Sequence, residues 1–376
     1  MKKIILTTLL LFITAATAMS QQIPETEFEE LPQELYTIPQ EFQTAKVLEV
    51  KNTDDCQQTT LEILNGVDSG KILNINYGEG FRLYDSQKVK PGEKVVLTQG
   101  EGFEGNTVYS IMDKYRLNWV IIVVAFFFAV AIFFGRLKGV SSILGLCLSL
   151  VVLIYFIIPN ILNGYNPILI SLIGSVLIAL SSIYLAHGFS KRTTLALIST
   201  LISLVISIVL ALLFVELTKL TGTASEETFF LQLNQDASIN LKGLLLGGII
   251  IGSLGVLDDI TTGQTAAVDE IYKANNGLTR SELYKSGLSV GKAHIASIVN
   301  TLVLAYAGAS FPLLVLFSMD NPEPLWVLMN QEFIVEEIVR TLVGTTALIF
   351  AVPITTFLAA NYYSKQSKAF ERRLQR

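Results

Sequence analysis

The chain is poor in the residues from which most metal centres and nucleophilic active sites are built. It holds two cysteines and two histidines in 376 residues, and charged side chains make up only 16%. Cys56 lies in a polar stretch and Cys147 in an apolar one, so they fall in different phases and no intramolecular disulfide is expected. Neither cysteine has neighbours at metal-ligand spacing, and His187 and His294 are too isolated to build a zinc site. A nucleophile elbow, a Walker loop, a His-Glu-x-x-His helix and a Rossmann fingerprint are missing from their required contexts. The glycines from Gly243 to Gly248 form no phosphate loop, because no Gly-Lys-Ser/Thr follows them. No catalytic residue, metal or cofactor is therefore expected, and the chain reads as a non-enzyme.

Apolar sequence is what it has in excess. Hydrophobic residues make up 51% of the chain, far beyond ordinary soluble usage. The expected class is an α-helical multi-pass membrane protein with about seven transmembrane helices, each needing roughly 20 apolar residues. Candidate spans cover 118–134, 140–158, 167–186, 195–215, a glycine-rich one beginning near 241, 293–317 and 338–361.

The N-terminal third has a different character. Lys2 and Lys3, an apolar run over 4–13 and Ala16-Thr-Ala18 have the layout of a secretory signal peptide over 1–18, with an uncleaved anchor as the competing reading. Pro24, Pro32 and Pro39 among glutamates make 19–40 an extended extracytoplasmic linker. Residues 41–116 then alternate in β fashion over 45–50, 59–64, 71–77, 94–98 and 107–111. Asn65-Gly66, Asp68-Ser-Gly70, Gly78-Glu-Gly80 and Lys90-Pro-Gly92 separate these runs as turns. Five short strands suggest a small all-β extracytoplasmic domain, an OB-like or SH3-like barrel, and that likeness assigns no ligand.

The transmembrane domain over 117–363 is oriented by its cations. Arg136, Lys138, Lys191, Arg192, Lys273, Arg280, Lys285, Lys292 and the basic tail at 364–376 fall on one side if the β domain is outside. Opposite loops carry Glu216, Glu226, Glu227, Asp236, Asp320, Glu323, Glu332, Glu336 and Glu337. The expected topology in a bacterial plasma membrane is N-outside and C-inside. Lys114 and Arg116 are a local exception on the outer side, and Trp119 and Trp326 sit near outer boundaries as interfacial indoles do. The expected partners are the lipid bilayer and either a second copy or a related membrane protein; nothing points to nucleic acid.

Chemistry concentrates between Gly243 and Glu270. The apolar part over 244–257 is too short to span, so the span must recruit polar flanks or the adjacent Asp258 and Asp259. An ionised carboxylate at a helix centre costs about 2.5–3.5 kcal/mol, which makes this pair the functional candidate. On a continuous helix Asp258, Thr262, Thr265 and Asp269 share one stripe, followed by Glu270. Gly255 and Gly263 bracket the pair, so the other reading is a broken helix whose freed carbonyls help hold a cation. A third reading leaves both aspartates solvated at the membrane boundary.

On the next span His294, Ser297, Asn300 and Thr301 add polar atoms, and Asn300 is a candidate partner for the Asp258 region. Gly243, Gly247, Gly248, Gly252, Gly255 and Gly308, with Ser171, Ser175, Ser199, Ser203 and Ser207, have the spacing of helix-packing residues.

The run from Gly252 through Leu-Asp258-Asp259-Ile-Thr-Thr to Glu270, followed by Gly291-Lys-Ala-His294 through Asn300-Thr301 to Tyr306-Ala-Gly308, resembles the core of the YibE/F-like bacterial membrane proteins. That resemblance implies a multi-pass plasma-membrane protein whose biochemical activity is not established. It singles out Gly252, Gly255, Asp258, Glu270, Asn300, Thr301, Tyr306 and Gly308, and this chain has two aspartates where one would match. Two functions compete: a transporter or channel-like permease for an ion or small solute, and a scaffold whose exported β domain binds a cell-envelope partner.

Overall fold

The computed structural model describes residues 41–374 apart from 54–55, 80–82, 102–106, 234–238, 313–314 and 316–323, with the last side chain described at Lys365. The signal peptide expected at 1–18, the linker at 19–40, the turn at Gly80 and the acidic residues Asp236, Asp320 and Glu323 lie outside the described residues, as do the tail's basic side chains. The chain divides into two compact units, one ending at Val130 and the other running on from Ala131.

Each run read as a strand coincides with one, Leu64 and Lys71 alone falling a residue outside. The strands are β1 (Glu41–Asn52), β2 (Gln57–Ile63), β3 (Ile72–Tyr77), β4 (Lys94–Glu101) and β5 (Thr107–Lys114). They form an antiparallel sheet in the order β3-β2-β1-β4-β5. Bulges between Val47 and Glu49 and between Val96 and Leu97 add local twist, and the edge strands β3 and β5 curl toward each other into a half-barrel. Alternation delivers Ala45, Val47, Leu61, Ile63, Val95, Leu97 and Ile111 to one buried face. Buried Gln57 ties the β3–β4 connection to that core, accepting from Val89 N at 2.8 Å.

The second unit is helical. Its first element, α1 (Leu117–Val152), begins in the first unit and is broken at Arg136, where φ is 50° and ψ is -131°. Gly139 then lies against the Ala131 carbonyl, a contact that a straight helix could not make at that separation. The stretch from Leu117 to Leu162 would be about 69 Å long if straight, twice the thickness of a hydrocarbon core. The bend divides it into arms of roughly spanning length. A π turn at Leu153–Ile157 precedes α2 (Ile158–Leu162), next to Pro159, which has no N–H to give.

The bundle proper is α3 (Pro167–His187), α4 (Lys191–Leu217), α5 (Glu226–Leu233), α6 (Leu241–Ala274), α7 (Arg280–Ala309), α8 (Leu325–Leu328) and α9 (Glu332–Leu374). Caps mark the starts: Asn166 with Pro167 for α3, Ser190 for α4, Asn240 for α6, and a Thr279–Glu282 capping box for α7. Among the described residues six stretches are long and apolar enough to cross a membrane, the first two expected spans falling within one of them. Contacts along α6 fix the directions. Gly243 meets Pro167, and Val268 packs with Leu283, Ala359 and Tyr363, so α3, α6 and α9 run one way and α4 and α7 the other. Helix α6 sits in the core, where Ile250, Leu254, Leu257 and Ile260 pack with Leu204, Ala347, Leu348 and Val352.

Candidate functional site

Helix α6 runs unbroken for 34 residues, with Asp258 and Asp259 at its middle. Gly255 and Gly263 therefore do not open it: both are exposed, and neither has an atom within 4 Å of where a Cβ would stand. The discontinuous-helix reading is corrected accordingly.

The two aspartates face different ways. Asp258 turns toward α3, where Ser182 Oγ donates to its Oδ2 at 3.0 Å. Its Oδ1 is buried and has no hydrogen-bond partner among the described residues. Asp259 is exposed. Ser182 is held in place because Gly145 of α1 lies flat against its backbone, with 3.5 Å from a would-be Cβ to the Ser182 Cα. Sequence reasoning proposed Asn300 as the partner of this region. The structure puts Ser182 there instead, because α7 turns Ile295, Ile298 and Leu302 inward. That leaves His294, Ser297, Asn300, Thr301 and Gly308 exposed. Thr301 Oγ1 satisfies itself on the Ser297 carbonyl at 3.0 Å.

The hydroxyls of the stripe below Asp258 bond to the helix's own carbonyls. Thr262 donates to the Asp258 carbonyl at 2.9 Å and buried Thr265 to the Thr261 carbonyl at 2.7 Å. Asp269 closes the stripe in a charge cluster: Lys273 lies 2.8 Å away and Arg192 of α4 3.7 Å away. Glu270, exposed, shares both cations. Asp258 lies about 16 Å along the axis from Asp269, half the thickness of a hydrocarbon core.

Around α6 runs a ladder of interhelical polar contacts. Ser207 donates to Ser253 at 2.8 Å, and Thr200 pairs with Thr261 at 2.6 Å. Fully buried Gln264 donates to the Gly287 carbonyl and to Thr356 Oγ1, each at 2.8 Å, while its Oε1 has no partner among the described residues. Ser171, Ser175 and Ser203 are buried with hydroxyls likewise unmatched. Sequence reasoning missed Ser182, Gln264 and Thr356. Gln264 carried a signal, being an amide within the first turns past the aspartates of a buried helix.

Of the packing glycines, Gly243 meets Pro167 and Gly247 meets the Ser171 hydroxyl. Gly248, Gly255 and Gly308 have open space where a Cβ would be, and exposed Gly252 has only the Tyr306 hydroxyl, at 3.9 Å. Small residues spaced by four line two faces of α6, and among the described residues the inward face is the one in close contact with a neighbouring helix.

Long apolar helices around a buried polar ladder define a polytopic helical protein of membrane-spanning build. The family model described as YibE/F-like protein matches residues 123–365, well over half of the chain, and the chain belongs to that family. No curated protein and no solved structure matches it.

Proposed function

We propose that this protein is a non-enzymatic permease of the bacterial plasma membrane, in which Asp258 takes up a proton or a cation on a path along the buried face of α6. One observation carries the reading: a carboxylate oxygen inside the bundle, at the middle of a continuous span, without a partner among the described residues. A carboxylate in that position is costly unless a proton, a cation or water meets it. Support comes from the unmatched hydroxyls of Ser171, Ser175 and Ser203 in the same interior. The positive-inside rule orients the pole with Lys191, Arg192 and Lys273 to the cytoplasm and the half-barrel outward. With Arg192 and Lys273 at the headgroups, Asp258 falls near mid-bilayer.

The test is flux in proteoliposomes under an imposed proton or sodium gradient. Wild type is expected to exceed empty liposomes, and Asp258→Asn to reduce the rate at least about tenfold. Ser182→Ala, which frees the second oxygen, should change the rate without abolishing it. Fluxes equal to those of empty liposomes would remove the permease reading. The compact first unit favours a second one, an envelope-binding scaffold. Crosslinking from the half-barrel to one dominant envelope protein, with normal function when both aspartates are neutralised, would establish it.

A further inference from the structure

Oδ1 of Asp258 has essentially no accessible surface, so no water-sized sphere touches it, while Oδ2 already accepts from Ser182 at 3.0 Å. What packs around the carboxyl is apolar. Leu254 and Leu257 of α6 and Ala179 and Ile183 of α3 lie in one buried cluster, to which α7 adds Ile298 and α9 adds Leu348. Helix α1 presents backbone at Gly145, against Ser182. Among the described residues the one charge acting on Asp258 is that of Asp259, the next residue along. His187 stands five residues past Ser182, at the end of α3, and Arg192 and Lys273 are taken up by Asp269 and Glu270.

A metal cation fits such a place poorly. Hard cations such as calcium and magnesium collect about six or more oxygens, and no group of three or more His, Cys, Asp or Glu that could hold one occurs among the described residues. Sodium sites in membrane helices draw on unwound backbone carbonyls, whereas α6 is unbroken. A proton needs no cavity, because it adds to an oxygen lone pair. It also removes the charge that makes a buried carboxylate costly.

Building on the permease reading, we propose that the ion taken up at Asp258 is a proton and not a metal cation, held in place by Ser182. The proton adds to a lone pair of Oδ2, and the 3.0 Å contact then runs the other way, Oδ2–H donating to Ser182 Oγ. Ser182 turns its own hydrogen to a carbonyl one turn back, as Ser181 does on the Leu177 carbonyl at 2.8 Å. Oδ1 is left as a neutral carbonyl oxygen, which costs less to bury unmatched than a share of a carboxylate's charge. On release the O–H bond breaks, its electron pair stays on the carboxylate, and the proton passes to water once the bundle admits it.

The test is infrared difference spectroscopy on the full-length protein in liposomes at neutral pH. Wild type should show the carbonyl stretch of a protonated carboxylic acid. The band is expected to be lost in Asp258→Asn, kept in Asp259→Asn and unchanged when sodium replaces potassium. Ser182→Ala removes the acceptor and should shift the band, and Ser182→Thr should restore its position. Melting curves establish that the variants fold; should Asp258→Asn fail to, the shift in Ser182→Ala carries the test. Absence of the band in wild type would overturn the assignment, as would its persistence in Asp258→Asn or its loss on adding sodium. Flux in the same liposomes separates the two readings. A band without flux keeps the proton site and removes the permease, whereas sodium-dependent flux without the band keeps the permease and removes the proton.

Discussion

Gln264 and two neighbouring glycines show how much hangs on single positions in α6. Gln264 joins α6 to α7 and α9 through one amide, and Gly291 faces it so closely that even a methyl group there would crowd both Gln264 and Val352. Gln264→Ala is expected to lower unfolding free energy by about 1–2 kcal/mol, measured by thermal melting in a mild detergent. Gly247 and Gly248 are adjacent and should respond oppositely. Gly247→Val drives a side chain into Ser171 and should cost about 1–3 kcal/mol, while Gly248→Ala should cost nothing, since helix propensity favours alanine and the space is open. Asp258 was legible in the sequence because a charge in an apolar run is costly wherever it sits. Ser182 was not, because a serine in a helix satisfies itself locally as easily as across an interface, and only the packing of α1 on α3 decides.

Two elements carry strain or titration that can be read from outside. Arg136 holds a backbone conformation suited to glycine, so Arg136→Gly should raise stability by about 1 kcal/mol, measured by chemical unfolding. In the half-barrel, Tyr109 donates to Asp68 at 2.5 Å, linking the β2–β3 turn to β5. That bond, with Lys71 nearby, holds Asp68 below the usual carboxylate range, and it is the main reason the Tyr109 phenol is pushed up to about 12. The signs differ. The Asp68 contribution is present above its unfolded value of about 3.9 and is lost as pH falls through the lower folded value. The Tyr109 contribution is complete below about 10 and is gone once pH has risen through about 12. Tyr109→Phe should flatten both limbs in a pH series of half-barrel melting followed by tyrosine absorbance. The strands themselves were legible from period-2 alternation and glycine turns. The inward face of α7 was not, because its polar and apolar stripes are both plausible until the neighbours exist.

For the molecule as a whole, the two poles make the strongest expectation. Single cysteines at Glu337 and at Arg192, in a Cys56→Ser, Cys147→Ser background, should react with an impermeant maleimide from opposite sides of sealed vesicles. Reaction of both from one side would refute the proposed orientation. The spans were legible as lengths of apolar sequence, whereas their directions and neighbours depended on contacts between residues far apart, such as Gly222 with the Leu241 carbonyl.

Because α3, α6 and α9 start together, three helix N-termini with their partial positive charges converge where Glu332, Glu336 and Glu337 lie. The C-termini of α3 and α6 lie beside His187, Arg192 and Lys273. Helices α4 and α7 run the other way and cancel most of this, so what the side-chain charges oppose at the two ends is the small dipole left over. Inverting a pole's charges would disturb insertion and also add to that residual dipole instead of offsetting it.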